Sequence, residues 1–307
     1  MPWNKGKSKY SAEQWDFVKK FYPRLGCKKC ALALGFKSER IVESMARRIG
    51  VETEKSVKIA NITESLEKEM GEFRVNPLNF QVIETPEVAY FLGFLWADGN
   101  LNRAKSGHII RISIKSTDAD NLREVCKKIG DFGECFAKRK VGNPRICFWT
   151  SNKHIFKILQ EFDYCDKSFK NPNKILNAIP ENLRHYWWRG YFDGDGSAVL
   201  TGHRGMYCAF ISGETQDWNS AYNLFSNLKI TKHKHFIVKN DKGKGSQIRL
   251  SNTEDIITFF NFIYPNFIYD NIGLIRKFNN LNQMKYLANQ RKKRLNNGKF
   301  VENKIYE

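Results

Sequence analysis

The sequence lacks any long apolar run. No segment approaches the roughly twenty consecutive apolar residues of a membrane-spanning helix. The N-terminal residues, Met-Pro-Trp-Asn-Lys, also lack the apolar core that defines a secretory signal peptide. We therefore expect a protein that acts in the cytoplasm and does not bind a membrane.

Cysteine is present without a pattern. The chain has seven cysteines, an odd number without framework spacing, which favours reduced intracellular thiols over disulfides. Cys27 and Cys30 have the spacing of half a zinc site, but the nearest further cysteine is Cys126. We interpret both thiols as small core residues of an apolar helix.

Acidic residues are few relative to basic ones. The 307 residues include 51 Lys and Arg against 32 Asp and Glu, which gives a net charge of +19. A surface this positive favours a polyanion as partner, and nucleic acid is the first such class. The length allows two domains, or one large domain with an appendage.

One nine-residue pattern occurs twice, at residues 91–99 and 188–196. Each copy reads as an apolar helix that ends in Asp-Gly, with small residues four positions apart. These small residues are Gly93, Ala97, Gly190 and Gly194. A stripe of small residues lets the backbone of a second helix approach closely, so we expect the two helices to pack on each other.

The predicted packing would place two aspartates, Asp98 and Asp195, side by side at the helix ends. Two carboxylates held close together in a polar cleft favour a divalent metal ion, the arrangement used for phosphodiester hydrolysis. The alternative is a pair of buried helices with glycine caps, which one copy alone would favour. Two copies in a basic protein favour the functional interpretation.

The repeated pattern, with its Asp-Gly ending and its separation, resembles the LAGLIDADG homing endonucleases in their single-chain form with two motifs. The resemblance covers roughly residues 85–280. It implies a nuclease that makes a metal-dependent double-strand break in a long asymmetric DNA site and so promotes the mobility of its own gene or intron. It also implies Mg²⁺ or Mn²⁺ as cofactor.

The resemblance assigns roles to individual residues. It implies that Asp98 and Asp195 are catalytic and bind the metal, with Gly99 and Gly196 as adjoining metal contacts. Asp193, whose counterpart in the first copy is a tryptophan, is expected to be structural.

The family also places one basic residue near each active centre. Lys167 and Lys277 resemble that position, so the resemblance implies that both are catalytic. A polar residue after the second strand of each half orders water in the family. Gln216 and Ser116 correspond to that residue.

The periodicity after each motif predicts the element order α-β-β-α-β-β-α in both halves. Residues 108–115, for example, alternate between isoleucine and polar side chains. We predict an α+β fold in which two pseudo-symmetric αββαββα halves, residues 85–180 and 181–284, form antiparallel sheets covered on one side. In the resembled family the open face is a saddle that lies along the DNA major groove.

Polar side chains fall on the predicted open faces, where they either contact base edges or form an ordinary solvated surface. They are Arg111, Lys115, Gln247 and Arg249. The basic loop Lys138, Arg139 and Lys140, and a second loop at residues 242–244, suit phosphates, which position a protein without conveying sequence.

The N-terminal 50 residues predict a trihelical helix-turn-helix domain. Its third helix, from Ser38 to Gly50, would present Arg40, Arg47 and Arg48 to DNA. Similar three-helix bundles also occur in proteins that never bind DNA. Residues 51–84 are expected to form a linker, and residues 285–307 a basic C-terminal tail.

Three functions remain open at this point. The first is a monomeric endonuclease on double-stranded DNA, because two non-identical halves would read two non-identical half-sites. The others are a regulator that binds DNA without cleaving it and an RNA-binding intron maturase. Regulators can lose the acidic position, and both aspartates are present here. An intein is not expected, because the chain begins with Met and ends Lys-Ile-Tyr-Glu without splicing residues, which leaves a freestanding or intron-encoded nuclease.

Overall fold

The computed structural model describes seven stretches of the chain, and the chain divides into two compact units, residues 1–73 and 74–307. The described stretches are residues 10–54, 74–104, 107–137, 144–201, 205–212, 216–240 and 243–296. Within these ranges no helix combines the length and the apolar character needed to cross a bilayer.

The first unit contains helices α1 (Ala12–Ala33) and α2 (Glu39–Ile49). A capping box between Ser11 and Gln14 begins α1, because each side chain bonds the backbone N–H of the other residue. The helix continues past Pro23, where it was predicted to end, and breaks at Gly26, whose φ of 70° lies in the left-handed region. The unit therefore has three helical segments, as predicted.

The small core of the first unit joins α1 to α2. Val18 and Cys30 of α1 pack with Val42, Met45 and Ala46 of α2, and all five are buried. The thiol of Cys27 is half-buried and contacts the Glu39 carboxylate at 3.6 Å. Both cysteines thus pack among helices.

The second unit begins at Arg74, eleven residues before residue 85, where the motif pattern predicted the first half to start. Val75 pairs with Gly130 in an isolated β-bridge, and the one-turn helix α3 (Leu78–Gln81) follows it. Val75, Phe80 and Ile83 are buried in the main core, so the prediction of a linker over residues 51–84 was wrong for residues 74–84. A single bridge and one helical turn are too short to give a periodic signal. Residues 55–73 lie outside the described ranges.

Both halves have the predicted order of elements. The first half comprises α4 (Pro86–Asp98), β1 (Gly99–Ala104), β2 (Gly107–Lys115), α5 (Ala119–Ile129), β3 (Gly133–Ala137), β4 (Arg145–Thr150) and α6 (Lys153–Glu161). After the connecting helix α7 (Asn173–Ala178), the second half comprises α8 (Arg184–Asp195), β5 (Gly196–Thr201), β6 (Gly205–Ser212), α9 (Asn219–Asn227), β7 (His233–Asn240), β8 (Gly243–Leu250) and α10 (Thr253–Ile263). The predicted α+β class and its two αββαββα halves are confirmed.

Each half has one four-stranded antiparallel sheet, with strand orders β1-β2-β4-β3 and β5-β6-β8-β7. The two sheets have equivalent strand registers. The glycine after each motif aspartate pairs with the next strand, Gly99 with Ile112 and Gly196 with Phe210. One face of each sheet covers the core; on β2 the isoleucines 110, 112 and 114 are buried, whereas the intervening Arg111 is exposed. Within the described ranges, side chains of the opposite face, such as Arg111 and Ile211, are exposed, as the alternation predicted.

The C-terminal part is helical beyond residue 285, where the basic tail was predicted to begin. A short helix, α11 (Phe267–Asp270), leads to the 22-residue helix α12 (Ile275–Asn296). Leu281, Met284 and Ala288 of α12 are buried, so the predicted start of a tail at residue 285 was wrong. Three apolar residues spread along a strongly basic segment gave a weak amphipathic signal. Residues 297–307 lie outside the described ranges.

Candidate active site at the paired helix ends

The two motif helices, α4 and α8, pack against each other through their small residues. A Cβ on Gly93 would lie 2.7 Å from the carbonyl carbon of Trp187, and one on Gly190 would lie 2.7 Å from the backbone nitrogen of Phe94. A Cβ on Gly194 would overlap the methyl group of Ala97. The backbones are therefore in direct contact, and a larger side chain at the glycines would push the helices apart.

Asp98 and Asp195 are the last residues of α4 and α8, and both are half-buried. The pKa of Asp195 is raised to about 7, first by burial and then by the negative charge of Asp98, while Lys167 and Lys277 oppose the rise. The two carboxylates thus lie close enough to repel each other. This is the juxtaposition that the repeated sequence pattern predicted.

Gly99 and Gly196 make the turn from each helix into the following strand. A Cβ on either would overlap a carbonyl oxygen of its own helix, from Leu95 or Phe192. Their backbone φ is ordinary, so lack of space is the reason for glycine here. The Gly196 carbonyl accepts a hydrogen bond from Lys277 Nζ, which directs that oxygen to the lysine and weakens the predicted metal contact.

The two lysines cap the ends of the two motif helices. Lys167 Nζ donates to the carbonyl oxygens of Leu95 at 3.0 Å, Trp96 at 2.6 Å and Ala97 at 2.6 Å. Lys277 Nζ donates to Phe192 O at 2.7 Å, as well as to the Gly196 carbonyl. The C-terminal carbonyls carry the negative end of the helix dipole, so an ammonium group stabilises them.

Burial dominates the electrostatics of these lysines. It lowers the pKa of Lys167 to about 8, although the charges of Asp195 and Asp98 act in the opposite direction. The pKa of Lys277 is also lowered to about 8, again by burial, with Asp193 the largest opposing charge. The site therefore holds both ammonium groups and the two carboxylates in one partly desolvated cluster.

Asp193 is buried and fully engaged in hydrogen bonds within the protein. It accepts from the Tyr90 hydroxyl at 2.8 Å, from the Leu274 backbone N–H at 2.8 Å and from the Tyr264 hydroxyl. Burial raises its pKa, and these partners oppose the rise. Its carboxylate joins α8 to α4, to the end of α10 and to the start of α12, which agrees with a structural role.

Arg189, also on α8, is a further buried charge that the sequence did not reveal. Its guanidinium donates to Asp270 at 2.9 and 3.1 Å, to Ile263 O at 2.6 Å and to Ile272 O at 2.6 Å. The side chain is fully buried. An arginine inside an apolar motif gives no sign of its partner when that partner lies far away in sequence.

The two predicted water-ordering residues have other contacts. Gln216 is buried, and its side-chain amide donates to Lys167 O at 3.2 Å and Lys170 O at 2.6 Å. Ser116 begins a one-turn helix, Ser116–Asp118, and its backbone N–H donates to Pro144 O at 3.0 Å. The N–H donors of the Gln216 amide therefore already bond the backbone beside Lys167, and its role in ordering water stays a prediction.

The polar side chains of the open sheet faces lie where they were predicted. Arg111 and Lys115 are exposed, and Gln247 and Arg249 are half-buried. The guanidinium of Arg249 stacks 3.6 Å above the ring of Tyr207, a partner that the sequence did not predict. Tyr207 lies on the same face by alternation, but only the β6–β8 register brings it beside Arg249.

The predicted phosphate-binding residues are only partly described. Arg40, Arg47 and Arg48 are exposed on α2, as predicted for a basic third helix. Lys138, Arg139 and Lys140 lie outside the described residues, as does Lys242 in the second basic loop.

Hard oxygen ligands at the helix ends come from the carboxylates of Asp98 and Asp195. Nowhere in the described ranges, the helix ends included, is a group of three or more His, Cys, Asp and Glu side chains arranged to hold a metal ion. Mg²⁺ commonly binds through one or two carboxylates and keeps several waters, so two aspartates are a sufficient protein donor set.

Comparison with known protein families found no family whose sequence model matches this chain. Among curated proteins, the chain is 28% identical over 119 residues to the uncharacterized protein MJ0314 of Methanocaldococcus jannaschii. The match covers 37% of this chain and 42% of that protein, so it spans less than half of this relative.

Solved structures similar to this chain include a meganuclease, a homing endonuclease and the protein DUF199/WhiA. I-SmaMI bound to uncleaveable DNA is 17% identical, with a TM-score of 0.42 over 67% of this chain and 92% of that chain. I-WcaI bound to its DNA recognition sequence is 17% identical, with a TM-score of 0.42 over 67% of this chain and 94% of that chain. DUF199/WhiA from Thermatoga maritima is 16% identical, with a TM-score of 0.43 over 71% of this chain and 62% of that chain. These are similarities of architecture.

Proposed function

We propose that this protein is a monomeric, site-specific endonuclease that makes a divalent-metal-dependent double-strand break in a long asymmetric DNA site. The observation that carries the proposal is the pair of mutually repelling carboxylates, Asp98 and Asp195, at the ends of two helices in backbone contact. A fold alone does not set an activity, but two acidic groups held this way are costly unless a cation compensates them.

The carboxylates fit Mg²⁺ or Mn²⁺. The raised pKa of Asp195 marks negative charge that Lys167 and Lys277 only partly neutralise, and the donors are hard oxygens. A bound cation would supply an activated water, charge neutralisation at the phosphate and stabilisation of the leaving oxygen. Asp98 and Asp195 would hold it, with its remaining positions open to water and phosphate oxygens.

The chain's own residues perform the remaining tasks. The glycine contacts fix the separation of the two aspartates, because neither helix can move without losing backbone packing. Lys167 and Lys277 hold positive charge at the helix ends, where they attract the scissile phosphates. The two open sheet faces and the net charge of +19 suit a DNA duplex.

The two halves present different side chains to that duplex. On the first sheet Arg111 lies opposite Trp149, whereas on the second sheet the equivalent pair is Ala209 and Arg249. The arginine is thus on the opposite strand of the pair in each half. One chain with two unlike faces would read an asymmetric site without a second copy, which supports monomeric action and the mobility of a gene or intron to one locus.

The test uses plasmid that carries the chain's own genomic insertion site, with and without Mg²⁺ or Mn²⁺. Wild-type protein should linearise it only with the metal, and Asp98→Asn and Asp195→Asn should abolish cleavage while binding is largely kept. Asp131→Asn serves as the matched control, because the Asp131 carboxylate forms an exposed ion pair with Arg74. Near-normal cutting by either active-site variant would contradict the assignment.

The alternatives are separate outcomes of the same experiment. A regulator that only binds DNA would shift the duplex and leave it intact in both metals. An intron maturase would bind intron RNA more tightly than the duplex in direct competition. The presence of both aspartates favours the nuclease over the regulator.

A further inference from the structure

Lys167 lies on a segment with little support of its own. It begins a single turn of 3₁₀-helix, Lys167–Phe169, in the connection between α6 and α7. Phe169 is 68% exposed, so the turn has no apolar anchor. The nearest buried side chains are Pro172 after the turn and Tyr164 before it, and the Tyr164 hydroxyl donates to Leu92 O at 2.8 Å. A lysine on such a turn needs further contacts to hold its ammonium group in place.

Gln216 of the second half provides those contacts. Its side-chain amide donates to the carbonyl oxygens of Lys167, at 3.2 Å, and Lys170, at 2.6 Å, at the two ends of the turn. Gln216 is itself held firmly, because its backbone N–H donates to Ser246 Oγ at 2.9 Å. Ser246 is completely buried in β8 and also accepts from the Trp218 indole at 3.0 Å.

The other lysine is held in a different way. Lys277 lies in the first turn of the 22-residue helix α12, and its backbone N–H donates to Leu274 O at 2.9 Å. Leu274 and Leu281, on either side of it, are buried in the core. Apolar packing of a long helix therefore fixes Lys277, whereas a cross-half hydrogen bond fixes the turn that carries Lys167.

We infer that Gln216 is a positioning residue, which holds Lys167 Nζ on the carbonyls at the end of α4 and so makes one active centre depend on the opposite half of the molecule. The placement of Lys167 by Gln216 is a property of the free protein. Its consequence for cleavage rests on the proposed nuclease function. Because Lys277 does not share this support, loss of the Gln216 amide should affect the two centres unequally.

The first experiment needs neither DNA nor metal. Gln216→Met keeps the length of the side chain and removes its donors. An amine-acetylating reagent is applied to the full chain at a pH near 8, the pKa of both lysines, and labelling is measured by mass spectrometry. Gln216→Met should raise the labelling rate of Lys167 severalfold and leave that of Lys277 unchanged. Equal labelling of Lys167 in variant and wild type, or a parallel rise at both lysines, would overturn the inference.

Ser220→Ala is the matched control. The Ser220 hydroxyl donates to Asn173 Oδ1 at 2.6 Å, another hydrogen bond between these two regions that does not touch the Lys167 turn. It should leave both labelling rates unchanged, and a rise at Lys167 equal to that of Gln216→Met would overturn the inference. If Gln216→Met does not fold, Gln216→Asn replaces it, because the shorter side chain withdraws the amide by one methylene.

The second experiment follows each DNA strand separately with end-labelled substrate. Gln216→Met should slow hydrolysis of one strand by on the order of tenfold to a hundredfold, with the other strand and the Kd nearly unchanged, so nicked DNA accumulates. Equal slowing of both strands would overturn the inference. Failure of wild-type protein to cut any DNA would instead refute the proposed function, while the labelling result still decides whether Gln216 positions Lys167.

Discussion

Four ionisable side chains share the space at the helix ends, and the shifted pKa values of Asp195, Lys167 and Lys277 make stability depend on pH. The folded pKa of Asp195, about 7, lies above its ordinary value, so the folded state keeps a proton that the unfolded chain releases as pH rises. Stability is therefore lost as pH rises towards 7. For Lys167 and Lys277 the folded pKa of about 8 lies below its ordinary value, so stability is lost as pH falls towards 8. Between pH 7 and pH 8, Asp195 is ionised while both lysines are still protonated. Without a metal ion, the folded state is therefore least stable in this range.

We expect Asp195→Asn to remove the acid-side part of this dependence. Between pH 5 and pH 7–8, the metal-free wild type should lose on the order of 1–2 kcal/mol of unfolding free energy relative to the variant, because Asp195 is only half-buried and solvent screens part of the cost. Urea unfolding of both proteins across this range is the measurement. Mg²⁺ should raise the wild-type midpoint more at the upper pH than at the lower. Parallel pH profiles for the two proteins would contradict the shifted pKa.

A second residue-scale prediction concerns Arg249 on the open face. Stacking on Tyr207 fixes its planar guanidinium, which favours paired hydrogen bonds to a guanine edge. In selection from randomised duplexes, Arg249→Ala should lose about 1–3 kcal/mol of preference for guanine at one position. Tyr207→Ala should lose part of it, and Tyr207→Phe, which keeps the ring, should lose little. A uniform loss of affinity with a smaller salt dependence would identify a phosphate contact instead.

At the scale of elements, the fold depends on the backbone contact between α4 and α8. Gly93→Leu or Gly190→Leu would place a side chain on the backbone of the partner helix, so either should cost more than about 3 kcal/mol or prevent folding. Gly107→Ala is a useful comparison, because open space surrounds Gly107 and only its φ of 146° is unfavourable. That control should cost about 1 kcal/mol in thermal unfolding. Similar losses for all three variants would mean that the helices can separate at little cost.

Helices and strands with a clear hydrophobic periodicity could be predicted from the sequence. The contacts between them could be predicted less well. Alternation of isoleucines with polar residues located β2, and the repeated glycines located the helix pair. The linker prediction failed at Val75 and Phe80, since a bridge partner such as Gly130 is distant in sequence. The resemblance of short motifs pointed to Lys167 and Lys277. No local pattern indicates that each lysine donates to the end of a helix, α4 or α8, that is distant in sequence. In the same way, no local pattern indicates that the Gln216 amide donates to the backbone beside Lys167.

At the scale of the whole molecule, the two halves share a backbone plan but differ in how each supports its chemistry. Asp193 and Arg189 brace the second motif helix with buried polar contacts, whereas the first has Trp96 against Tyr164, with ring centroids 5.0 Å apart. Hydrogen bonds have strict geometry, and apolar packing tolerates adjustment. Under the proposed nuclease function, two halves that differ in this way do not require equal half-sites, which agrees with an asymmetric DNA site.

The N-terminal unit offers a prediction at the same scale. Among the described residues its core shares none with the main core, which begins at Val75, so deletion of residues 1–73 should leave the second unit folded. Three exposed arginines on α2 would contact phosphates or bases in the full chain. Deletion should then weaken DNA binding, shorten the footprint and reduce the slope of log K against log salt by up to about 3, with the cleavage position unchanged.

Full-length protein in which Arg40, Arg47 and Arg48 are all replaced by glutamine is the matched control, because it keeps the unit and removes only its charge. It should reproduce most of the loss in affinity and salt dependence, measured by footprinting and titration on the same duplex. If the truncated and full-length proteins give identical footprints and affinities, α2 does not read DNA. The three-helix unit would then serve as a protein-binding module or a folding cap, and recognition would rest on the two sheets alone.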